Sequence, residues 1–420
     1  MKIAIIGAGY VGLVTALCFS DMGHNVVCVD TDIKKVKSLK EGKTPIYEKR
    51  LDELLEKHLN KNFKVTSDLS DAMAEEPEAI FIAVGTPSDS EGRLDLSYVK
   101  KAAIDIAKYL DFYSVIVMKS TVLPGSTESL VPIIEKESKR KLGSGFGLAM
   151  NPEFLKEGTA VEDFMKPDRI VIGYYDEKSR KVLEEIYTSI TAPKIFTDIK
   201  TAEMIKYASN VFLAARVSLI NEIGNICKQL GIDVYEVAEA VGLDKRIGPY
   251  FLRAGVGFGG SCFPKDIMAL INKSKEIGEN ADIMEAIVKV NDRQPLKILQ
   301  LALQKFPNLH KKRITVLGLA FKADTDDIRE SRAVPLIEAL LSMGADVTVY
   351  DPLAMQNFKK QYNYKIKYAE DLHDALKSAD ICFIMTDWAE FKKAKDYENV
   401  YIFDGRNLFR RLHNYEGICW

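Results

Sequence analysis

The sequence has 420 residues, and its 47% hydrophobic and 28% charged content is that of a globular protein rather than of a disordered or membrane-embedded chain. Its 58 lysines and arginines nearly balance its 60 aspartates and glutamates, so no net field attracts nucleic acid or an anionic membrane, and neither is expected as a partner. The length predicts two or three domains, and no apolar run approaches the roughly 18 residues that cross a bilayer.

The six cysteines are widely scattered and none forms a CxxC pair, so neither a metal site nor a disulfide framework is predicted. The opening segment MKIAIIGAGYVGL has some features of a signal peptide. It fits a strand entering a glycine turn better, and no small-residue cleavage site follows it. A cytoplasmic protein with free thiols is therefore expected.

The first part of the chain alternates short apolar strands with helical stretches. A strand at 3–6 leads through a glycine turn into a helix at 11–22 and a second strand at 26–29. Further strands are predicted at 79–84, 115–118 and 147–150. This alternation favours a doubly wound parallel sheet with helices on both faces.

The first glycine turn carries a GxGxxG pattern made by Gly7, Gly9 and Gly12, and Asp30 ends the following strand. In this context the glycines allow a tight turn and bring a pyrophosphate close to the N-terminus of the next helix. Asp30 would bind the adenosine ribose and repel a 2′-phosphate, which favours NAD over NADP, although Lys35 weakens that exclusion. A glycine turn without a ligand is the alternative interpretation.

A long helix is predicted from 201 to 230, a stretch without proline. Ile205, Phe212, Leu219 and Ile226 recur every seven residues there, which indicates a buried apolar stripe. A helical middle region of this kind suits an interdomain spine or a dimer interface.

The last third of the chain contains a weak internal repeat. Residues 312–351 reproduce the pattern of residues 2–30: a basic start, an apolar strand, a glycine, a helix ending in Met-Gly, and a strand ending in aspartate. Only Gly318 matches the glycines of the first turn, and the polar insert FKADTDDIRES follows it. A second Rossmann-type unit with a different ligand is therefore predicted.

The predicted fold is α/β, with two Rossmann-like doubly wound parallel-sheet domains joined by a long central helix. The predicted boundaries are 1–196 for an NAD-binding domain, 197–297 for a helical dimerisation region with a candidate catalytic cysteine, and 298–420 for a C-terminal nucleotide-binding domain.

A glycine-rich segment, GFGGSCFPKD, contains Cys262. Lys265 and a helix opened by Pro264 would both favour its thiolate, which is the reactive form, and Asp266 lies four residues on. A buried, inert cysteine in a tight loop is the alternative interpretation.

Two carboxylates, Glu153 and Glu157, follow a predicted strand in the segment NPEFLKEG. On a helical turn they would share one face, at the edge of the sheet where α/β proteins bind ligands. An ordinary helix start explains this segment equally well.

Lys206 and Asn210 lie four residues apart on the long predicted helix, beside the apolar stripe. A lysine and an amide there can stabilise a developing alkoxide. The alternative is a lysine whose ammonium reaches solvent and a surface asparagine.

Three further polar residues are weaker candidates. Thr121 follows a strand and fits either a cofactor-facing hydroxyl or a turn residue. Lys322 and Arg329 in the polar insert suit phosphate or uracil contacts, or are solvated charges.

Five segments together resemble the UDP-glucose/GDP-mannose dehydrogenase family, in the order found in that family and over essentially the whole chain. They are NPEFLKEG, AEMIKYASN, RIGPYFLRAGVG, GFGGSCFPKD and FKADTDDIRES. The resemblance implies an NAD-dependent oxidoreductase that converts the C6 alcohol of a nucleotide sugar, expected to be UDP-glucose, to the carboxylate of UDP-glucuronate. Two NAD and one water would be consumed.

The resemblance also implies residue roles. Cys262 would carry a thiohemiacetal and then a thioester, Lys206 and Asn210 would stabilise an oxyanion, and Asp266 would order water or assist proton transfer. Glu157 and Thr121 would be catalytic residues that hold a water and face the cofactor.

The implied binding residues form two sets. The expected cofactor contacts are Gly7, Gly9, Tyr10, Val11, Gly12, Asp30, Lys35, Thr86, Thr121, Glu157, Lys265 and Arg329. The expected substrate contacts are Glu153, Phe154, Leu155, Lys156, Glu157, Lys206, Asn210, Arg246, Phe251, Leu252, Arg253, Ala254, Gly255, Gly259 and Lys322. Arg246 would reach the substrate of a neighbouring subunit, which implies at least a homodimer.

Other functions stay open. Phe263 and the FLRAGVG loop resemble the UDP-glucose branch, but GDP-mannose or a UDP-N-acetylhexosamine would suit the same chemistry. A two-electron dehydrogenase without a covalent step and a non-catalytic nucleotide-binding regulator are the remaining alternatives.

Overall fold

The computed structural model describes residues 1–89, 91–393, 397, 399–409 and 413–420. Two compact units account for the chain, Met1–Ser209 and Asn210–Trp420. The predicted division into three domains stays a prediction.

The first unit is built on a sheet in which eight strands are described. They are β1 (Lys2–Ile6), β2 (Asn25–Val29), β3 (Phe63–Thr66), β4 (Ala79–Ile82), β5 (Val115–Met118), β6 (Gly147–Met150), β7 (Ile170–Tyr174) and β8 (Lys194–Thr197). Their spatial order is β3-β2-β1-β4-β5-β6-β7-β8, and neighbours are parallel except for the antiparallel pair β6 and β7. The first six strands thus have the 3-2-1-4-5-6 order of dinucleotide-binding folds.

Helices cover both faces of this sheet. They are α1 (Tyr10–Asp21), α2 (Ile33–Lys40), α3 (Leu51–His58), α4 (Leu69–Met73), α5 (Ser97–Lys108), α6 (Val131–Ser138), α7 (Ala160–Met165) and α8 (Glu177–Ile186), with a 3-10 turn at Glu128–Leu130. Ile3 and Ile5 of β1 belong to one apolar core, and Ala4 and Ile6 belong to the other, because successive side chains of a strand point to opposite faces. Strands buried on both faces must be apolar throughout, which explains the continuous apolar runs.

The long helix α9 (Ile199–Leu230) continues from the first unit into the second. Within the single chain, the prediction that its apolar stripe is buried is wrong. Phe212, Leu219 and Ile226 are 74%, 60% and 58% exposed. Within the second unit α9 turns a different face inward, which includes Ala214 and Asn221, so the seven-residue stripe is left on the outside.

The second unit repeats the first architecture. Its described strands are β9 (Arg313–Leu317), β10 (Asp346–Tyr350), β11 (Lys367–Tyr368), β12 (Ile381–Ile384), β13 (Tyr401–Asp404) and β14 (Tyr415–Gly417). They are parallel and lie in the order β11-β10-β9-β12-β13-β14, which is again 3-2-1-4-5-6. The predicted fold class, with two Rossmann-like units joined by a long central helix, is confirmed.

The remaining helices belong to the second unit. They are α10 (Val234–Gly242), α11 (Phe263–Glu276), α12 (Asp282–Lys305), α13 (Ala333–Ser342), α14 (Met355–Gln361) and α15 (Leu372–Leu376), with a 3-10 turn at Ala389–Lys393. Within the described ranges, none of the helices is long and apolar enough to cross a membrane.

Candidate active site

The glycine turn of the first unit has the geometry that a dinucleotide requires. Gly7 has a φ of +108°, and a Cβ there would lie 2.6 Å from the carbonyl oxygen of Ala83. A Cβ on Gly12 would collide with the carbonyl of Gly7, whereas a Cβ on Gly9 would meet nothing within 4 Å. Gly7 and Gly12 therefore serve the tight turn, and Gly9 leaves open space at the position where a pyrophosphate lies in dinucleotide-binding folds.

The N-terminus of α1 has no side-chain cap, so its first N–H groups are available to an anion. Asp30, at the end of β2, accepts hydrogen bonds from the N–H of Ala8 and of Asp32, both at 2.8 Å. Lys35 lies with its ammonium 3.7 Å from the same carboxylate. The structure thus brings Asp30 and Lys35 to the edge of the glycine turn.

The two threonines predicted to contact the cofactor come together after β4 and β5. The hydroxyl of Thr86 donates to the carbonyl oxygen of Thr121 at 3.1 Å. Both follow the carboxyl ends of parallel strands, the edge at which α/β sheets bind ligands.

A buried ion pair joins Lys206 of α9 to Glu153. Their Nζ and Oε1 atoms are 2.9 Å apart, and the two side chains are 4% and 7% exposed. The other carboxylate oxygen of Glu153 accepts from the N–H of Leu155 at 2.6 Å, and the ring of Phe154 lies 5.5 Å from the Lys206 ammonium. A charged lysine held in a dry site is a strong electrostatic group.

The charge state of Glu153 follows from these neighbours. Burial opposes its ionisation, but the charge of Lys206, their hydrogen bond, the Leu155 N–H and Lys119 together outweigh burial and lower the pKa of Glu153. Glu153 is therefore a carboxylate that balances the Lys206 ammonium.

The prediction that Glu153 and Glu157 share a helical face is wrong. Residues 151–156 form no helix, and α7 begins only at Ala160. Gly158 has a φ of +85°, which no regular helix allows, and Lys206 holds Glu153 in place. Glu153 is thus positioned by its ion pair and not by a helix that it shares with Glu157. Lys156, on the same loop, pairs with Asp163 at 3.1 Å.

Lys119 is a buried charge that the sequence analysis missed. It is 3% exposed, and its ammonium donates to the side-chain oxygen of Asn151 at 2.9 Å. Burial, only partly offset by Glu153 and reinforced by Lys206, lowers the pKa of Lys119 to about 7. A signal was present, because a lysine directly after the wholly apolar strand β5 lies at the ligand-binding edge of the sheet.

Lys119→Met is expected to stabilise the protein at low pH. Below pH 7 the folded state carries the full cost of the buried charge, and this cost fades as the pH rises from 7 towards the ordinary value of 10.5. The gain below pH 7 is expected to be about 1–4 kcal/mol, since Tyr187 still donates to Asn151. Urea unfolding of the variant and of wild type, below pH 7 and near pH 10, measures it. Lys101→Met, at an exposed lysine, is the control. A variant that unfolds more easily below pH 7 contradicts the expectation.

In the second unit, Cys262 lies at the N-terminal end of α11, and Pro264 is in the first turn, as predicted. Its thiol lies 3.6 Å from the hydroxyl of Ser261, and its side chain is partly exposed. The positive end of a helix favours a thiolate over a thiol. The other five cysteines are buried.

Asp266 binds two other predicted site residues of the second unit, Asn210 and Lys265. Its side chain is 1% exposed, and its carboxylate accepts from the Asn210 amide at 2.6 Å and from the Lys265 ammonium at 2.5 Å. This bonding fixes which face the Asn210 carboxamide presents. The carbonyl of Cys262 also accepts from the N–H of Asp266 at 2.9 Å, which ties the group to the cysteine.

The glycines before Cys262 pack closely against other parts of the second unit. A Cβ on Gly259 would collide with the carbonyl of Glu330, and a Cβ on Gly260 would lie 2.8 Å from the ring of Phe321. These glycines are required by the packing of the loop against the polar insert of the second unit.

The loop predicted to bind the nucleotide sugar is held from several sides. Phe251 has a φ of +59°, Ala254 accepts from the hydroxyl of Tyr235 at 2.6 Å, and the N–H of Gly255 donates to Asn221 at 2.7 Å. Arg253 approaches Asp387 at 3.6 Å. The loop, which includes Leu252, is therefore a defined surface of the second unit.

The three other predicted charged contacts have the following neighbours. Arg246 is 88% exposed and pairs with Asp244, two residues away in the chain. Arg329 similarly pairs with Asp327 at 2.5 Å. Lys322 lies over the ring of Phe321 at 5.7 Å.

Asp351, at the end of β10, matches Asp30 in the internal repeat but has other partners. One oxygen accepts from the N–H of Leu319, the N–H of Ala320 and the indole of Trp388, and the other accepts from the N–H of Leu353 and the N–H of Ala354. Its carboxylate is 1% exposed. Both carboxylate oxygens are therefore occupied by hydrogen bonds within the second unit.

The described residues contain no group of three or more His, Cys, Asp or Glu side chains that could hold a metal ion.

Comparison with known proteins gives three matching family models and close relatives. Residues 1–191, 200–293 and 315–411 match the NAD binding domain, the central domain and the UDP binding domain of the UDP-glucose/GDP-mannose dehydrogenase family. A UDP-glucose 6-dehydrogenase of Haloferax volcanii is 44% identical over 98% of this chain and 98% of its own. A UDP-glucose 6-dehydrogenase of Bacillus subtilis is 44% identical over 97% of this chain and 89% of its own.

A solved structure agrees over the whole length. The UDP-glucose dehydrogenase from the hyperthermophilic archaeon Pyrobaculum islandicum has a TM-score of 0.95 and 41% identity, and the match covers 100% of this chain and 97% of that chain. With three domain models matched in order, and with relatives aligned over nearly their full length, the chain belongs to the UDP-glucose/GDP-mannose dehydrogenase family.

Proposed function

We propose that this protein is an NAD-dependent dehydrogenase that converts UDP-glucose, two NAD and water to UDP-glucuronate. The observation that carries the proposal is Cys262, the partly exposed cysteine at the N-terminus of α11, next to the Asp266 network. The family, and relatives named UDP-glucose 6-dehydrogenase at 44% identity, favour UDP-glucose over GDP-mannose or a UDP-N-acetylhexosamine.

The cofactor site is the glycine turn of the first unit. Gly9 and the uncapped start of α1 would hold the pyrophosphate, and Asp30 would bind the adenosine ribose. Two NAD molecules, bound in turn, would each accept one of the two hydrides that the oxidation of an alcohol to an acid releases.

The covalent step belongs to Cys262. Its thiolate adds to the carbonyl carbon of the C6 aldehyde and forms a thiohemiacetal, which prevents release of the aldehyde. Loss of the second hydride gives a thioester. Water then adds to the thioester carbon, the C–S bond breaks, and the carboxylate, a proton and the free thiol are released.

The oxyanions of these steps require positive charge and hydrogen-bond donors. Lys206 and Asn210 lie one turn apart on α9 and supply an ammonium and a carboxamide. Glu153 keeps Lys206 in position by the 2.9 Å pair, and Asp266 does the same for Asn210. Glu157 and Thr121 hold the water and the cofactor in this scheme.

The second Rossmann-like unit suits a nucleoside diphosphate and not a second dinucleotide. Its counterpart of Asp30 is Asp351, whose carboxylate is already engaged by five donors and is therefore unavailable to a ribose. We assign this unit, with Lys322, to the UDP part of the substrate. The residue 251–255 loop and Gly259 would enclose the sugar.

The assembly we propose is a homodimer in the cytoplasm. A row of large apolar side chains on α9 is exposed in the single chain, which is costly unless a second copy covers it. Arg246, exposed by 88%, would then reach the substrate of the neighbouring subunit. Six free cysteines favour a reducing compartment.

Leu219→Asp is expected to give a monomer. At a two-fold interface the change places two carboxylates among apolar side chains, whereas the fold of the single chain is preserved because Leu219 is 60% exposed. Light scattering coupled to size exclusion reads the mass. Ile277→Asp, at an equally exposed residue outside the stripe, should leave the mass unchanged. A dimeric Leu219→Asp variant would exclude the stripe as the interface.

The stoichiometry of the reaction tests the function. Purified protein is mixed with UDP-glucose and NAD, NADH is followed by absorbance, and the sugar product is quantified. Two NADH for each UDP-glucuronate is the expected result. Turnover with only GDP-mannose or a UDP-N-acetylhexosamine would change the assigned substrate. No turnover with any nucleotide sugar would overturn the assignment as an enzyme.

A further inference from the structure

Glu48 is a buried carboxylate outside every segment discussed so far. It lies in the irregular stretch between α2 and α3 and is 6% exposed. One oxygen accepts from the N–H of Ala160 at 3.0 Å, and the other accepts from the N–H of Gly158 at 2.7 Å and from the hydroxyl of Tyr10. No cation pairs with it among the described residues.

These bonds connect two parts of the cofactor site that are far apart in sequence. Tyr10 is the first residue of α1, between Gly9 and Gly12 of the dinucleotide turn. Gly158 directly follows Glu157 and has a φ of +85°. Its N–H also lies 3.1 Å from the hydroxyl oxygen of Tyr10. Glu48 therefore ties the glycine turn to the loop that carries Glu157.

Glu48 also replaces a missing helix cap. The side chain of Thr159, at the cap position of α7, makes no capping hydrogen bond, and Glu48 accepts from Ala160 instead. Capping the helix needs only one acceptor oxygen. The second oxygen of Glu48 accepts from Gly158 and Tyr10, which belong to the proposed cofactor site and not to α7.

The Tyr10 hydroxyl stays protonated in this arrangement. Burial, the hydrogen bond to Glu48 and the charge of Glu48 raise the pKa of Tyr10 far above its ordinary value, and Glu157 acts in the same direction. Tyr10 is thus a fixed hydrogen-bond donor, and the charge of Glu157 contributes to the raised pKa of its hydroxyl.

We propose that Glu48 is a positioning residue for thioester hydrolysis, acting through Tyr10 and Gly158 to fix Glu157 against the dinucleotide turn. This rests on the proposed function, in which Glu157 holds the water that attacks the Cys262 thioester. Water adds to the thioester carbon, Glu157 accepts one of its protons, and the C–S bond breaks to release the carboxylic acid and the Cys262 thiolate. Loosening Glu48 should slow this step and spare the two hydride transfers.

The test compares wild type with Glu48→Gln and Tyr10→Phe. Glu48→Gln removes the charge and replaces one acceptor oxygen by an NH₂, whereas Tyr10→Phe leaves Glu48 bonded to Gly158 and Ala160. We expect kcat to fall by roughly 10- to 100-fold in Glu48→Gln and by less in Tyr10→Phe, with KM for UDP-glucose changed by less than about threefold. Rapid mixing should show a burst of two NADH for each site, and intact-protein mass should show a UDP-glucuronyl adduct on Cys262.

Asp176→Asn is the matched control. Asp176 caps α8 of the same unit by accepting from the N–H of Ser179, and its contacts involve neither the glycine turn nor the loop with Glu157. The Asp176→Asn variant should show no NADH burst and no adduct on Cys262. If Glu48→Gln does not fold, the same measurements on Tyr10→Phe test the inference.

Three results are decisive. A slowed variant with a burst and an adduct supports the inference. A slowed variant with neither a burst nor an adduct overturns the inference but leaves the proposed function intact. A variant in which KM for UDP-glucose rises and kcat does not fall has the same meaning. Wild type that forms no UDP-glucuronate overturns the proposed function, and the inference falls with it.

Discussion

Replacing Cys262 by serine is expected to lower the rate of UDP-glucuronate formation by on the order of 10³-fold or more. The serine hydroxyl lies at the same helix N-terminus but stays protonated, so the covalent intermediates no longer form. Quantification of UDP-glucuronate by chromatography, with NADH followed in parallel, measures the loss.

The control for this variant is Cys382→Ala. Cys382 lies on β12, is fully buried, and its burial raises the pKa of its thiol, which makes it inert. This variant should keep its activity per folded molecule. A Cys262→Ser protein that still makes acid at the wild-type rate would point to a dehydrogenase without a covalent step.

Lys206→Met should have the second large effect, a fall in kcat on the order of 10²- to 10³-fold. The variant loses the ammonium proposed to face the developing oxyanion, a contribution of the size measured when one oxyanion donor is removed. It also leaves Glu153 buried without its ion-pair partner, which should cost about 3–5 kcal/mol in the free energy of unfolding. Steady-state kinetics and urea unfolding read the two effects separately.

The matched control is Lys200→Met on the same helix. Lys200 pairs with Glu128 at 3.2 Å, but both side chains are exposed, so the pair contributes less than about 1 kcal/mol. Wild-type kinetics are expected there. If Lys206→Met keeps its kcat once folded, Lys206 has only a structural role.

Features that depend on neighbouring residues could be predicted from the sequence. The glycine turn, Asp30 and the start of α11 directly after Cys262 are local, because turn geometry and helix ends are set within a few residues. The second Rossmann-like unit could be predicted because its strand–glycine–helix pattern repeats that of the first.

Features that depend on distant contacts could not be predicted. Periodicity identified the stripe on α9 but not which side of the helix the chain itself covers, so Leu219 was expected inside. Glu48 reaches Gly158 across 110 residues, and no local pattern marks it. Spacing alone likewise suggested a helical turn for Glu157 where Gly158 prevents one.

The bonding of Asp30 has a consequence for redesign of cofactor preference. The carboxylate that would exclude a 2′-phosphate is also the acceptor for the N–H of Ala8, inside the glycine turn, and for the N–H of Asp32, at the start of α2. A change at Asp30 that admits a phosphorylated ribose therefore removes two backbone restraints from the turn that must hold the pyrophosphate. With Asp30 as the proposed ribose ligand, selectivity and affinity for the dinucleotide are coupled in one side chain, so an efficient switch of cofactor would need a replacement acceptor for Ala8 as well as a positive charge.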